Sequence, residues 1–184
     1  MNNDGLADLF VAKGNVDEMP DFAMRDPNNL LLQRPDGTFS EGGAEAGVAS
    51  LRTSRGAALT DFNLDGLVDL VVVNRGEPAQ LWRNVSTGAG NWIAVRLTQP
   101  APNRDAIGAW IEVRTDRGMQ RREITSGGGH AGGQSGWWHF GLGTAGAAEA
   151  RVIWPDGTAG DWQSVGANAF FDLARGALPV RWGR

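Results

Sequence analysis

The apolar residues of this chain fall in short runs, most of them alternating with polar residues at a period of two. Asn91-Trp92-Ile93-Ala94-Val95-Arg96-Leu97-Thr98 places Ile93, Val95 and Leu97 on one face, the mark of a half-buried β-strand. Residues 109–115 do the same with Ile111 and Val113. Residues 119–125 follow across Asp116-Arg117-Gly118, which predicts a hairpin. Further strands are predicted at residues 8–12, 30–33, Asp69–Asn74, 80–84, 137–142, 150–154 and 170–173, with residues 56–60 leading into the strand at 69. Arg34-Pro35-Asp36-Gly37-Thr38-Phe39 and Pro155-Asp156-Gly157-Thr158 read as turns. No long segment keeps a helical period, so the expected class is all-β.

The pattern changes character once. Ser86-Thr87-Gly88-Ala89-Gly90 reads as a boundary. Residues 1–88 contain a repeat, and residues 89–184 predict a β-sandwich or barrel of about seven short strands. At 184 residues the chain is long enough to bury a sizeable core in one or two domains.

The repeat carries the candidate chemistry. In Asp61-Phe62-Asn63-Leu64-Asp65-Gly66-Leu67-Val68-Asp69, oxygen-bearing side chains recur at every second residue, interrupted once by glycine, and the last opens the run Leu70-Val71-Val72-Val73. Asp61, Asn63, Asp65 and Asp69, with the backbone carbonyl of Leu67, are candidate ligands for one Ca²⁺, and the glycine permits the reversal that turns them inward. An EF-hand would need a bidentate Glu at the twelfth position, where Val72 stands inside a β-branched run. A second copy lies near the start: Asn2, Asp4, Gly5, Leu6 and Asp8 match Asn63, Asp65, Gly66, Leu67 and Asp69 at an offset of 61 residues. Asn2, Asp4, Asp8 and the Leu6 carbonyl are therefore candidate ligands too. Asn29-Leu30-Leu31-Leu32-Gln33 also resembles Gln80-Leu81-Trp82-Arg83-Asn84. A period of this size points to a supersecondary unit repeated in an array or propeller. The opening ligand of the first loop would precede Met1, so the chain is expected to be the C-terminal part of a longer protein, with upstream blades missing.

Composition narrows the partners. The net charge of −4 and the lack of a basic stripe argue against nucleic acid. No apolar run of eighteen residues is present, so no helical membrane span is expected. The absence of cysteine removes disulfides and thiolate zinc sites. Gly127, Gly129 and Gly132 satisfy G-x-G-x-x-G, but Trp137-Trp138-His139-Phe140 reads as a strand where a dinucleotide site needs a helix. His130 and His139 have no companions at zinc-site spacing, and no nucleophile–base pair can be assembled, so no catalytic residue is assigned. Eight tryptophans without a tyrosine leave Trp110, Trp137 or Trp138 as candidates for stacking on a sugar, against the plainer reading that they fill a β core.

Residues 55–69 and 80–84, with Asp36-Gly37-Thr38-Phe39 and Ala46-Gly47-Val48, resemble the FG-GAP/VCBS repeats of integrin-α-like β-propellers. Asn91-Trp92, Asn103-Arg104-Asp105-Ala106-Ile107-Gly108-Ala109, His139-Phe140-Gly141-Leu142-Gly143 and Ile153-Trp154-Pro155-Asp156-Gly157 are similar, in that order, to the ASPIC/UnbV domain of the cartilage acidic protein family. The glycine-rich loop at 127–135 departs from that pattern. The resemblance implies a partial β-propeller followed by a β-sandwich or barrel-like domain, in a secreted or cell-surface protein. It implies a non-enzymatic, calcium-binding adhesion or interaction role with an unknown protein or glycan ligand. A carbohydrate-binding or carbohydrate-processing accessory module is the first alternative, and an accessory role in a biosynthetic pathway the second. An incomplete propeller would leave sheet edges exposed and prone to association.

Overall fold

A computed structural model describes residues 1–130, 132–133 and 135–183. Every regular element among them is a β-strand. In the first half, β1 (Leu9–Val11), β2 (Asp26–Pro27), β3 (Asn29–Gln33), β4 (Phe39–Glu41) and β5 (Leu51–Arg52) precede β6 (Ser54–Thr60), β7 (Asp69–Asn74) and β8 (Glu77–Trp82). These make two antiparallel three-stranded sheets, β1-β3-β4 and β6-β7-β8, with β2 and β5 paired separately. The sheets are open and propeller-blade-like. Leu30, Val48, Leu70 and Val72 form a small core between them, flanked by Phe10, Leu32 and Trp82.

The second half holds β9 (Asn91–Thr98), β10 (Trp110–Thr115), β11 (Gly118–Glu123), β12 (Trp138–Gly143), β13 (Ala147–Ile153), β14 (Gln163–Gly166), β15 (Ala169–Ala174) and β16 (Val180–Arg181). They form two four-stranded sheets, β11-β10-β13-β14 and β12-β9-β15-β16. Ile93, Val95 and Leu97 from one sheet and Ile111, Val113 and Val152 from the other bury a shared core around Phe140 and Leu142. That is the period-two pattern of the sequence made physical: each alternate residue leaves water, at about 25 cal/mol per Å² of apolar surface. β15 runs parallel to β9, with Ala169 opposite Ile93 and Leu173 opposite Leu97.

Neither sheet closes, so the barrel alternative gives way to a two-sheet packing. Among the described residues the second half has eight strands, close to the expected seven. Gln163–Gly166 and Val180–Arg181 are short pieces without an apolar alternation, recruited by pairing with β13 and β15. Residues 56–60 belong to a longer strand, Ser54–Thr60, that pairs along β7. The predicted turns stand: the Arg34 N–H bonds the Thr38 carbonyl at 2.8 Å, and the Trp154 N–H bonds the Thr158 carbonyl at 2.8 Å.

Candidate metal loops at the seam between the two halves

The loop at 61–69 joins β6 to β7, so its ends are fixed by the Thr60–Asp69 pair that closes the ladder. Within it the backbone reverses through left-handed residues at Leu64 (φ 60°) and Gly66 (φ 89°). Three side chains then cap the turn. Asn63 Oδ1 accepts the Asp65 N–H at 3.2 Å, Asp65 Oδ1 accepts the Leu67 N–H at 3.0 Å, and Asp61 accepts from Asp65 N–H at 3.1 Å and Gly66 N–H at 2.8 Å. Asp69 is 1% exposed. It is satisfied by the N–H groups of Phe62 (3.1 Å) and Asn84 (2.7 Å).

The loop at 2–8 repeats the left-handed positions and the Asx turns at an offset of 61, without a counterpart of the Asp61 bonds. Asn3 (φ 61°) stands for Leu64 and Gly5 (φ 90°) for Gly66. Asn2 Oδ1 accepts the Asp4 N–H at 3.3 Å, and Asp4 Oδ1 accepts the Leu6 N–H at 2.8 Å. Asp8 Oδ1 accepts the Gln33 N–H at 3.0 Å, as Asp69 accepts that of Asn84. The Met1 ammonium, 2.5 Å from Asp8 Oδ2, takes the place of the Phe62 N–H. Asx turns of this kind are what short oxygen-bearing side chains do in a tight reversal.

The donor set suits a hard cation: three carboxylates, one amide oxygen and one carbonyl in the second loop, with no nitrogen or sulfur ligand required. Burial holds the Asp61 carboxyl above its ordinary value, and the nearby Asp65 charge adds to that shift against the pull of the Gly66 and Asp65 N–H groups. Desolvation would raise Asp65 as well, but hydrogen bonds from Asn63 and the Leu67 N–H, together with Arg83, leave it lowered. Arg83 Nη2 lies 3.2 Å from Asp65 Oδ2. A cation in the loop would replace that exposed partner and relieve the Asp61–Asp65 repulsion. Among the described residues no three acidic, imidazole or thiol groups converge tightly enough to cage an ion by themselves. The loop holds one only if Asn63 and the Leu67 carbonyl contribute and the Asx turns relax.

Both loops face the second half of the chain. Asn3 Nδ2 donates to the Gly66 carbonyl at 2.9 Å, tying one loop to the other. Asn84 Nδ2 donates to the Met1 and Val68 carbonyls at 2.9 and 3.1 Å. Asn3 Oδ1 meets His139 Nε2 on β12 at 2.8 Å, and the Gly143 and Gly90 N–H groups donate to the carbonyls of Asn3 and Asn2, both at 2.8 Å. The Asn3 amide nitrogen is spent on Gly66, so the His139 proton sits on Nε2. Burial, helped by Arg122, drops the His139 pKa to about 4. Its ring stacks on Trp92 at 5.5 Å. A cavity of about 100 Å³ lies along this seam, lined by Asp61, Asp8, Arg122, Trp137 and His139 among others.

The other candidates separate clearly. Trp138 is buried in the second-half core. Of the other two candidates, Trp110 has Arg121 at 4.1 Å from its ring and Trp137 has Arg96 at 4.7 Å; Arg114 and Arg151 lie 4.0 and 4.5 Å from the ring of Trp162. The glycine-rich loop precedes strand β12, and among the described residues no helix follows it, which removes the dinucleotide reading; Ala131 and Gln134 of that loop lie outside the described residues. The sequence did not single out Asn3, Asn84 or Trp92 for the site. Asn3 aligns with Leu64, an apparent spacer, and only its tolerance of a left-handed backbone hinted at a role.

Residues 1–72 match the FG-GAP-like repeat family and residues 99–178 match the ASPIC and UnbV family. The chain is similar to cartilage acidic protein 1 from Homo sapiens, 39% identical over 88 residues, which is 45% of this chain and 13% of the human protein. It is also similar to those of Xenopus tropicalis (34% over 88 residues; 45% of this chain, 14% of the relative) and Mus musculus (35% over 88 residues; 45% and 14%). It thus spans a small fraction of the length of these relatives.

Proposed function

Because the chain carries FG-GAP-like repeats followed by an ASPIC and UnbV region, we propose that it is a non-enzymatic interaction protein of the extracellular space whose repeats are stabilised by Ca²⁺. The observation that carries this reading is the duplication of one turn geometry. Loops 2–8 and 61–69 share the left-handed positions, the Asx turns and a terminal Asp whose carboxylate accepts a backbone N–H. A merely convenient turn has no need to keep oxygen-bearing side chains at the same spacing twice. The candidate ligands are Asp61, Asn63, Asp65, the Leu67 carbonyl and Asp69, with Asn2, Asp4, the Leu6 carbonyl and Asp8 as a poorer second set.

In this role the ion cross-links a strand to its preceding loop and performs no reaction. The exposed apolar residues Val73, Leu81 and Val85 lie on and after β7 and β8, on the outer side of the repeat, and suit packing against further repeats or a protein partner. The glycan alternative loses support from the arginine-covered tryptophan faces. Thermal unfolding with Ca²⁺, with Mg²⁺ and with chelator tests the proposal. At a hundred-fold excess over the dissociation constant, one site adds about 2.7 kcal/mol. A melting temperature indifferent to Ca²⁺ overturns it.

A further inference from the structure

The loops are not free-standing. Asn3 is 8% exposed and stands between two candidate ligands, Asn2 and Asp4, while Gly66 stands between Asp65 and Leu67. The Asn3 side chain bridges His139 Nε2 on one side and the Gly66 carbonyl on the other, at 2.8 and 2.9 Å. One side chain therefore sets the apex of both loops, and a residue of the second half sets that side chain. The main chain adds to this: carbonyls 2 and 3 are taken by the N–H groups of Gly90 and Gly143. The contact is close enough that a methyl group on Gly141 would fall 2.7 Å from the Asn3 backbone. His139 Nδ1 is buried without a partner among the described residues. An apolar ring would fill the same space without that penalty. What an apolar ring would lack is the Nε2–H directed at Asn3.

We propose that Asn3 and His139 are positioning residues of the calcium loops: the second half of the chain holds both loops in their binding shape, and an ion in the loops in turn tightens the seam. This rests on the calcium reading above. Reciprocity is a thermodynamic requirement. If docking raises the affinity of the loops, the ion raises the stability of docking by the same factor. Partners that orient metal ligands typically change affinity by about 10- to 100-fold when removed.

The test uses the whole chain. Ca²⁺ affinity is measured by titration calorimetry, and amide hydrogen exchange is followed at Gly90 and Gly143 with Ca²⁺ and with chelator. Three variants are compared with the parent: His139→Phe, which keeps a ring on Trp92 and loses the donor; His139→Gln, which can still donate; and Asn3→Gly, which keeps the left-handed backbone and its carbonyl bond. In the parent, Ca²⁺ is expected to slow exchange at both glycines. His139→Phe and Asn3→Gly should weaken Ca²⁺ binding by about tenfold or more and abolish that protection, while His139→Gln recovers most of both. Should His139→Phe fail to fold, Asn3→Gly carries the comparison alone. Parent-like affinity in Asn3→Gly, or exchange at Gly90 and Gly143 that ignores Ca²⁺ in a parent that binds it, overturns this inference and leaves the calcium reading standing. A parent that binds no Ca²⁺ removes both.

Discussion

A methyl group on the Cα of Gly66 would sit 2.0 Å from Nε1 of Trp92. The indole of the second half thus packs directly on the turn of the second loop, at a residue whose φ of 89° already favours glycine. Gly5 has the same φ but looser surroundings, with its nearest neighbour, the Gly141 carbonyl oxygen, at 3.5 Å. Gly5→Ala should cost only backbone strain, about 1 kcal/mol, whereas Gly66→Ala should cost roughly 3 kcal/mol or more because strain and collision add. Urea unfolding of the two variants checks the difference; equal losses would mean that Trp92 does not press on the loop.

Asp65→Ala should remove most of the Ca²⁺-dependent rise in melting temperature, because Asp65 is central in the fuller loop. Asp4→Ala should remove less, since the first loop offers one carboxylate fewer. Differential scanning calorimetry of both variants with and without Ca²⁺ decides the ranking.

Acid should act through His139. Its folded pKa of about 4 lies below the ordinary 6.5. The unfolded chain therefore takes up the proton first as pH falls. The stability that neutral His139 supports is complete above pH 6.5 and is lost as pH falls toward 4, by up to about 3 kcal/mol. Asp61 works in the opposite sense. Its raised pKa means that its contribution to the metal-free fold is present below the ordinary carboxyl value and is lost as pH rises through the folded one. Urea midpoints of the chain and of His139→Gln between pH 4 and 7, both in chelator, should diverge, with the variant showing the shallower loss on acidification.

The second half should depend on Phe140, which is fully buried at the centre of the larger core. Phe140→Ala is expected to lose about 3–5 kcal/mol. Loss of near-ultraviolet circular dichroism from the tryptophans, together with an earlier urea midpoint, would report it. A loss below about 1 kcal/mol would show that the two sheets do not share the core described.

The sequence made the repeat and its loops legible because their signals are local. Alternate oxygens, a glycine and a β-branched run fix loop 61–69 and β7, and the offset of 61 residues reveals its twin. Ile93, Val95 and Leu97 likewise announced β9 by alternation alone. The strands it missed, such as Phe39–Glu41 and Gln163–Gly166, are three or four residues long and exist through pairing with β3 and β13. The seam was invisible for the same reason. Nothing local marks Asn3 as the partner of His139, 136 residues away, and the Trp92–Gly66 contact depends on how the two halves pack.

Crystals of the chain grown with CaCl₂ and measured for calcium anomalous scattering give the most direct answer. An anomalous peak in loop 61–69, at about 2.3–2.6 Å from oxygens of Asp61, Asp65 and Asp69 and from the Leu67 carbonyl, is the predicted result. Asp65 still paired to Arg83, with the Asx turns closed and no peak in either loop at saturating calcium, would contradict the account.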